Sequence, residues 1–163
     1  MGDGFEYSIT RLSETDDLGE VVALEAASFT NPWSQEILAR ELRNRDVARV
    51  YALRNAAHQL LAFCSCWFIA DELHINTLAV RDDSRRRGLA TRLLRFVFAQ
   101  AVAAGVEHAT LEVRRSNEPA LRLYERFGFE VKGIRANYYS HPVEDALILS
   151  REKLGFLDSN PEP

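Results

Sequence analysis

The sequence predicts an α/β (α+β) domain: a single mixed, mostly antiparallel sheet of about seven strands flanked by helices, with a central parallel strand pair. Two observations carry this. Strand-like segments divided by short polar turns imply hairpins, as at Val47 to Arg54 and Gln59 to Ile69. The apolar segment Leu73 to Val80 instead runs through a basic turn into a strongly periodic helix before the next strand, His108 to Arg114. A helical crossover of that kind makes the two strands parallel, and ligands in such sheets gather outside the carboxyl ends of the strands.

In chain order, Phe5 to Arg11 reads as a first strand. Thr15 or Asp16 is then expected to cap a helix that buries Leu18, Val21, Val22, Ala26 and Phe29. Phe29-Thr30-Asn31-Pro32-Trp33 breaks it, and Ser34 caps a second helix through Asn44, with Ile37, Leu38 and Leu42 as its buried stripe. The hairpin follows, and a turn at Asp71 leads into Leu73 to Val80. The long helix places Ala90, Leu93, Leu94, Val97, Phe98 and Ala101 on one face and closes at Gly105. After the strand His108 to Arg114, Ser116-Asn117-Glu118-Pro119 opens another helix with Ala120, Leu123, Tyr124 and Phe127 on one side, ended by Gly128. Glu130 to Tyr138 and Asp145 to Lys153 complete the strands. One domain over residues 1–155 and a frayed tail over 156–163 are expected.

Composition narrows the partners. At 163 residues, 47% of them hydrophobic, the chain can bury one core. Its net charge of -4 argues against nonspecific nucleic-acid binding and suits a basic partner. The N-terminal residues have no apolar signal core, and the longest largely apolar run, Leu60 to Ala70, is short of the roughly 20 residues needed to span a bilayer. A cytoplasmic monomer with neither nucleic acid nor membrane as partner is expected. The two cysteines, Cys64 and Cys66, point to one face of a strand and read as small buried apolar residues. His74, His108 and His141 lack ligand-like spacing, so no metal is expected.

The chemistry centres on Arg85-Arg86-Arg87-Gly88-Leu89-Ala90. The first amides of the helix that starts here have no partner inside it and sit at the positive end of its dipole, so an anion such as a phosphate is the natural guest. Gly88 would let the backbone approach a ligand closely. The run lacks both the Gly-Lys-Ser/Thr ending of a P-loop and the spaced glycines of a dinucleotide fingerprint.

Taken with Leu78-Ala79-Val80 before it, and with Leu111-Glu112-Val113-Arg114, Asn117, Ala120 to Tyr124 and Gly128-Phe129 after it, this turn resembles the acyl-CoA pyrophosphate loop of the GNAT superfamily of N-acetyltransferases. Arg135-Ala136-Asn137-Tyr138-Tyr139, Glu144-Asp145-Ala146 and Asn31-Pro32-Trp33-Ser34 are similar to the RimI-type ribosomal-protein alanine N-acetyltransferases. The resemblance covers nearly the whole chain. Arg85 and Ala90 stand where glutamine and glycine are also common in the family pattern.

The resemblance implies acetyl-CoA as cosubstrate. Leu78, Ala79 and Val80 would line the pantetheine arm, and the amides from Arg86 to Thr91, through Arg87, Gly88, Leu89 and Ala90, would hold the pyrophosphate. The side chains of Arg85, Arg86 and Arg87 either reach a phosphate or stay solvated. Asn117 either contacts CoA or caps its helix. Glu112 matches the family's general base, against a plain reading as a polar residue on an exposed strand face. Tyr124 matches the general acid for the departing thiolate, against a reading as a core tyrosine. With reference values of about 10 for tyrosine and about 8.5 for a thiol, full proton transfer is uphill by about 2 kcal/mol, so hydrogen-bond stabilisation is the minimum expected.

Trp33, Tyr138 and Tyr139 resemble residues of two loops that line the acceptor groove. The implied acceptor is a protein N-terminus, the N-terminal alanine of a small-subunit ribosomal protein. A terminal amine, at about 7.7 to 8.0, is more easily neutralised than a lysine at about 10.4. The alternatives are a lysine or small-amine acetyltransferase and a CoA-sensing module without transfer activity.

Overall fold

The structure, a computed structural model, describes residues 6–156; Phe5 of the expected first strand and residues 157–163 of the expected tail lie outside the described residues. Strands β1 (Tyr7–Arg11), β2 (Ala48–Asn55), β3 (Leu60–Ile69), β4 (Glu72–Val80), β5 (His108–Arg114), β6 (Glu130–Tyr139) and β7 (Glu144–Arg151) form one sheet in the order β1-β2-β3-β4-β5-β7-β6. Neighbours are antiparallel except β4 and β5, which run parallel as the helical crossover requires.

Helices α1 (Gly19–Ser28) and α2 (Gln35–Arg43) cover one face, and α3 (Leu89–Ala103) and α4 (Glu118–Arg126) the other. The larger core packs Leu93, Leu94, Val97 and Phe98 of α3 against Leu73 and Ile75 of β4 and Leu111 and Val113 of β5. The smaller one joins Val21, Leu24, Leu38 and Leu42 to Val50, Ala52 and Phe63. Because side chains alternate along a strand, burying Leu111 and Val113 under α3 turns Glu112 to the opposite face. Cys64 and Cys66 are buried in the larger core as expected, and their mutual hydrogen bond, followed by burial, holds the Cys64 thiol well above its ordinary value.

The feature that positions a site is where β4 and β5 part. They pair from Glu72 with His108 only as far as Ile75 with Leu111. Asn76 is the extra residue of a bulge in β4, since Ser65 pairs with Thr77 and Cys66 with Ile75. From there β4 stays with β3 while Glu112, Val113 and Arg114 stay with β7. A gap opens at the carboxyl ends of the two parallel strands.

Four expectations need correction. Neither Thr15 nor Asp16 caps α1: both are engaged in a turn in which the Asp16 carboxylate accepts from Ser13 N at 2.7 Å and the Ser13 and Thr15 hydroxyls meet at 2.8 Å. The chain enters α1 through buried Leu18, with no side-chain cap there. The helix buries Val21, Leu24 and Glu25 and leaves Ala26 and Phe29 outside, so its inner face is rotated from the expected one and carries an acid. In α2 the Ser34 cap forms as expected, accepting from Ile37 N at 3.2 Å, yet Ile37 itself is exposed. β7 ends at Arg151 rather than Lys153 because Leu154 turns inward and its N–H reaches Glu107 O at 2.8 Å.

Candidate active site

The turn after β4 is built by one unusual backbone stretch. Arg86 (φ 63°) and Gly88 (φ 72°) both lie in the left-handed region, and Gly88 is the residue before the first turn of α3. The first intrahelical bond runs from Arg92 N to Gly88 O, leaving the amides of Leu89, Ala90 and Thr91 without helical partners. A Cβ at Gly88 would meet nothing within 4 Å, so glycine is required there by conformation rather than by crowding.

These amides border a cleft of about 670 Å³ lined by Leu78, Ala79, Val80, Arg85, Arg86, Gly88, Leu89, Ala90, Thr91, Asn117 and Tyr124, among others. The volume falls within the range of about 300–1,000 Å³ usual for ligand sites. Because Arg81 N donates to Leu61 O on the β3 side, alternation along the strand turns the N–H groups of Leu78 and Val80 towards the gap. Arg85 is tied back by Asp82 at 2.9 Å, while Arg87 lines a neighbouring recess of about 170 Å³ with Tyr7, Asn55 and Gln59. Asn117 Oδ1 caps α4, accepting from Ala120 N at 3.2 Å, and the residue also lines the cleft.

Glu112 lies on the other face of β5. One oxygen, Oε2, is 2.8 Å from His74 Nε2, and the other, Oε1, is 3.7 Å from Arg135 Nη2. The carboxylate therefore borders a half-buried polar patch, not the wall of the cleft under α3.

Tyr124 lines the cleft from α4 and is buried. Burial, followed by Cys64 and Tyr139, pushes its phenol well above the ordinary value. A phenol so shifted keeps its proton, which makes it a steady hydrogen-bond donor and a weak full acid. Tyr139 is pushed up to about 12, first by burial and then by Tyr138 and Glu112.

The remaining residues form a second region. Arg114, at the end of β5, donates to Thr30 Oγ1 (3.2 Å) in the α1–α2 loop, to the carbonyls of Ser140 (3.1 Å) and Pro142 (3.0 Å) in the β6–β7 turn, and to Glu144 (3.3 Å). Its guanidinium carbon lies 4.4 Å from the centre of the Tyr139 ring. Asn31 Nδ2 adds a bond to Ser140 Oγ at 3.1 Å. Hydrogen bonds from the Ser116 side chain and backbone, then Arg114, hold the Glu144 carboxyl below its usual range. The two loops expected to line an acceptor groove are thus tied together, with exposed Tyr138 packed edge-on to Tyr139 at 5.0 Å.

Trp33 lies apart from that tie: its amide donates to Glu25 Oε1 at 3.2 Å and it packs on the smaller core. Burial, opposed by the Trp33 amide, raises the Glu25 carboxyl.

Sequence reasoning missed Arg114, Glu25 and His74 as site residues. The sequence presents His74 only as a possible metal ligand; like Glu112 it stands between two buried apolar residues of a strand, and that shared pattern is the available signal. Among the described residues no group of three or more His, Cys, Asp or Glu is arranged to hold a metal ion, and no helix is long and apolar enough to cross a membrane.

Residues 18–129 match the model of the Acetyltransferase (GNAT) family. The chain is 33% identical over 139 residues to the ribosomal protein bS18-alanine N-acetyltransferase of Escherichia coli (strain K12), covering 84% of this chain and 92% of that one. A crystal structure of the ribosomal-protein-S18-alanine N-acetyltransferase from Escherichia coli superposes with a TM-score of 0.82 at 31% identity, over 91% of this chain and 94% of that one. A crystal structure of the NatC complex bound to Gag peptide and CoA contains a chain that shares the fold, with a TM-score of 0.80 at 20% identity over 90% of this chain and 98% of that one.

Proposed function

The chain belongs to the GNAT family of acetyltransferases, and on that premise we propose that it acetylates the N-terminal alanine of a small-subunit ribosomal protein of the bS18 kind, by direct transfer from acetyl-CoA. The acceptor rests on the name of the Escherichia coli relative. The chemistry rests on one observation: the gap beyond Ile75 opens on unpartnered helix amides, with Tyr124 in its wall and Glu112 across β5.

Acetyl-CoA supplies an activated thioester. The amides of Leu89, Ala90 and Thr91 and the left-handed turn at Gly88 suit its pyrophosphate, and the strand edge at Leu78 and Val80 suits its amide-bearing arm. Glu112 takes the proton that the attacking amine must lose, directly or through one water. The N–H of Val80 faces the gap, where negative charge develops on the carbonyl oxygen. Tyr124 donates a hydrogen bond to the leaving thiolate and keeps its proton. The Arg114 tie holds both acceptor loops, and Tyr138 and Tyr139 offer hydroxyls to an extended peptide backbone.

The test offers peptides with free or blocked N-terminal alanine, each with and without an internal lysine, and locates the acetyl group by fragmentation mass spectrometry. Acetyl on the free α-amine alone is expected. Acetyl only on lysine side chains would overturn the N-terminal assignment, and acetyl-CoA uptake with no transfer to any amine would leave a CoA-binding module.

A further inference from the structure

His74 sits 38 residues from Glu112 in the chain, yet its ring is held at three points. Nε2 is 2.8 Å from Glu112 Oε2, Nδ1 is 3.0 Å from Asn76 Oδ1, and the ring stacks on Trp67 with centroids 5.5 Å apart and planes 28° from parallel. Trp67 is itself fixed, its indole N–H donating to Glu41 Oε2 of α2 at 2.7 Å. A side chain restrained this way is built to orient something.

We propose that His74 is a positioning residue for Glu112, with Asn76 selecting the ring tautomer. This rests on the reading of Glu112 as the base. An ionised carboxylate only accepts, so the contact at Oε2 requires a proton on Nε2. A neutral ring must then accept at Nδ1. The Asn76 amide nitrogen is buried without a partner, and turning that amide over brings it to Nδ1. The β4 bulge at Asn76 sets this amide beside the point where the parallel strands part.

The consequence is a division of labour between the two carboxylate oxygens. Oε2 is committed to His74, while among the described residues Oε1 has only Arg135, at 3.7 Å, too far for a hydrogen bond. Oε1 is the oxygen left to receive the proton from an amine or a bridging water. Among the described residues, Arg135 and Tyr139 of β6 are further charged or titratable groups beside the pair, and neither hydrogen-bonds Oε2.

The experiment compares His74→Ala, His74→Gln and Glu112→Gln by steady-state kinetics, alongside acetyl-CoA affinity by calorimetry and 15N-resolved spectra of the His74 ring. A glutamine can still donate to Oε2. His74→Ala is expected to lower kcat about 10- to 100-fold with acetyl-CoA affinity unchanged, as misplacement of a catalytic group does. His74→Gln is expected to restore most of the rate, and the wild-type ring to carry its proton on Nε2. His74→Ala turning over at the wild-type rate while Glu112→Gln is slow would overturn the positioning role alone. A fast Glu112→Gln would remove the base and this proposal with it. Equal slowness of His74→Ala and His74→Gln, or a ring without a proton on Nε2, would also overturn it.

Discussion

The two sides of the gap are built from different materials. The side proposed for CoA is made largely of backbone: a left-handed turn at Arg86 and Gly88, three helix amides without intrahelical partners and a strand edge, all within the short run from Leu78 to Thr91. The side proposed for the acceptor is made of side chains brought from afar, with Arg114 reaching residues 84 positions before it and 26 after it. A ligand common to a whole family can be held by groups that every residue carries. An acceptor that differs from enzyme to enzyme is held by groups that substitution can change.

Substitutions should separate the two sides. The largest effect is expected from Glu112→Gln, which removes the proton acceptor and should slow the chemical step about 10²- to 10⁴-fold, measured by rapid quench, with acetyl-CoA affinity retained. Tyr124→Phe should slow the same step about 10- to 100-fold, the worth of a hydrogen bond to a charged group. Because the wild-type phenol is shifted upward, it should cause no alkaline loss of rate below its ordinary value of about 10.

Gly88→Ala puts a Cβ on left-handed backbone at a cost of about 1–2 kcal/mol. Acetyl-CoA affinity, read by calorimetry, should fall about 5- to 30-fold with the peptide KM little changed. Arg114→Met should do the reverse, raising peptide KM about 10-fold by releasing both loops while acetyl-CoA still binds; a shift in both constants would erase the distinction between the sides.

The smallest effect is expected at Glu25, whose folded-state carboxyl is raised by burial. A raised group contributes stability that is complete below its unfolded value and lost as pH rises through the folded one. Glu25→Gln should therefore melt slightly higher than wild type at neutral pH, and the difference should vanish in acid, as followed by thermal denaturation.

The same contrast explains what could be read from the sequence. The turn at Arg85 to Ala90 and the periodic α3 were legible because each depends on residues close in the chain, and Glu112 stood out as an acid between apolar neighbours of a strand. Glu25 does not: an acid on the inner face of α1 breaks the apolar pattern, so the periodicity points to Val22, Ala26 and Phe29 instead of the face that carries Leu24 and Glu25. His74 and Arg114 act through partners 38 and up to 84 residues away, and such pairings exist only once β4, β5 and the two loops are assembled.

The cleft is expected to take acetyl-CoA without help from the acceptor side. Calorimetric titration of acetyl-CoA into the wild-type protein and Arg114→Met, with no peptide present, tests this directly. One molecule bound per chain at equal affinity in both is expected, whereas absence of binding to the folded wild-type protein would contradict it.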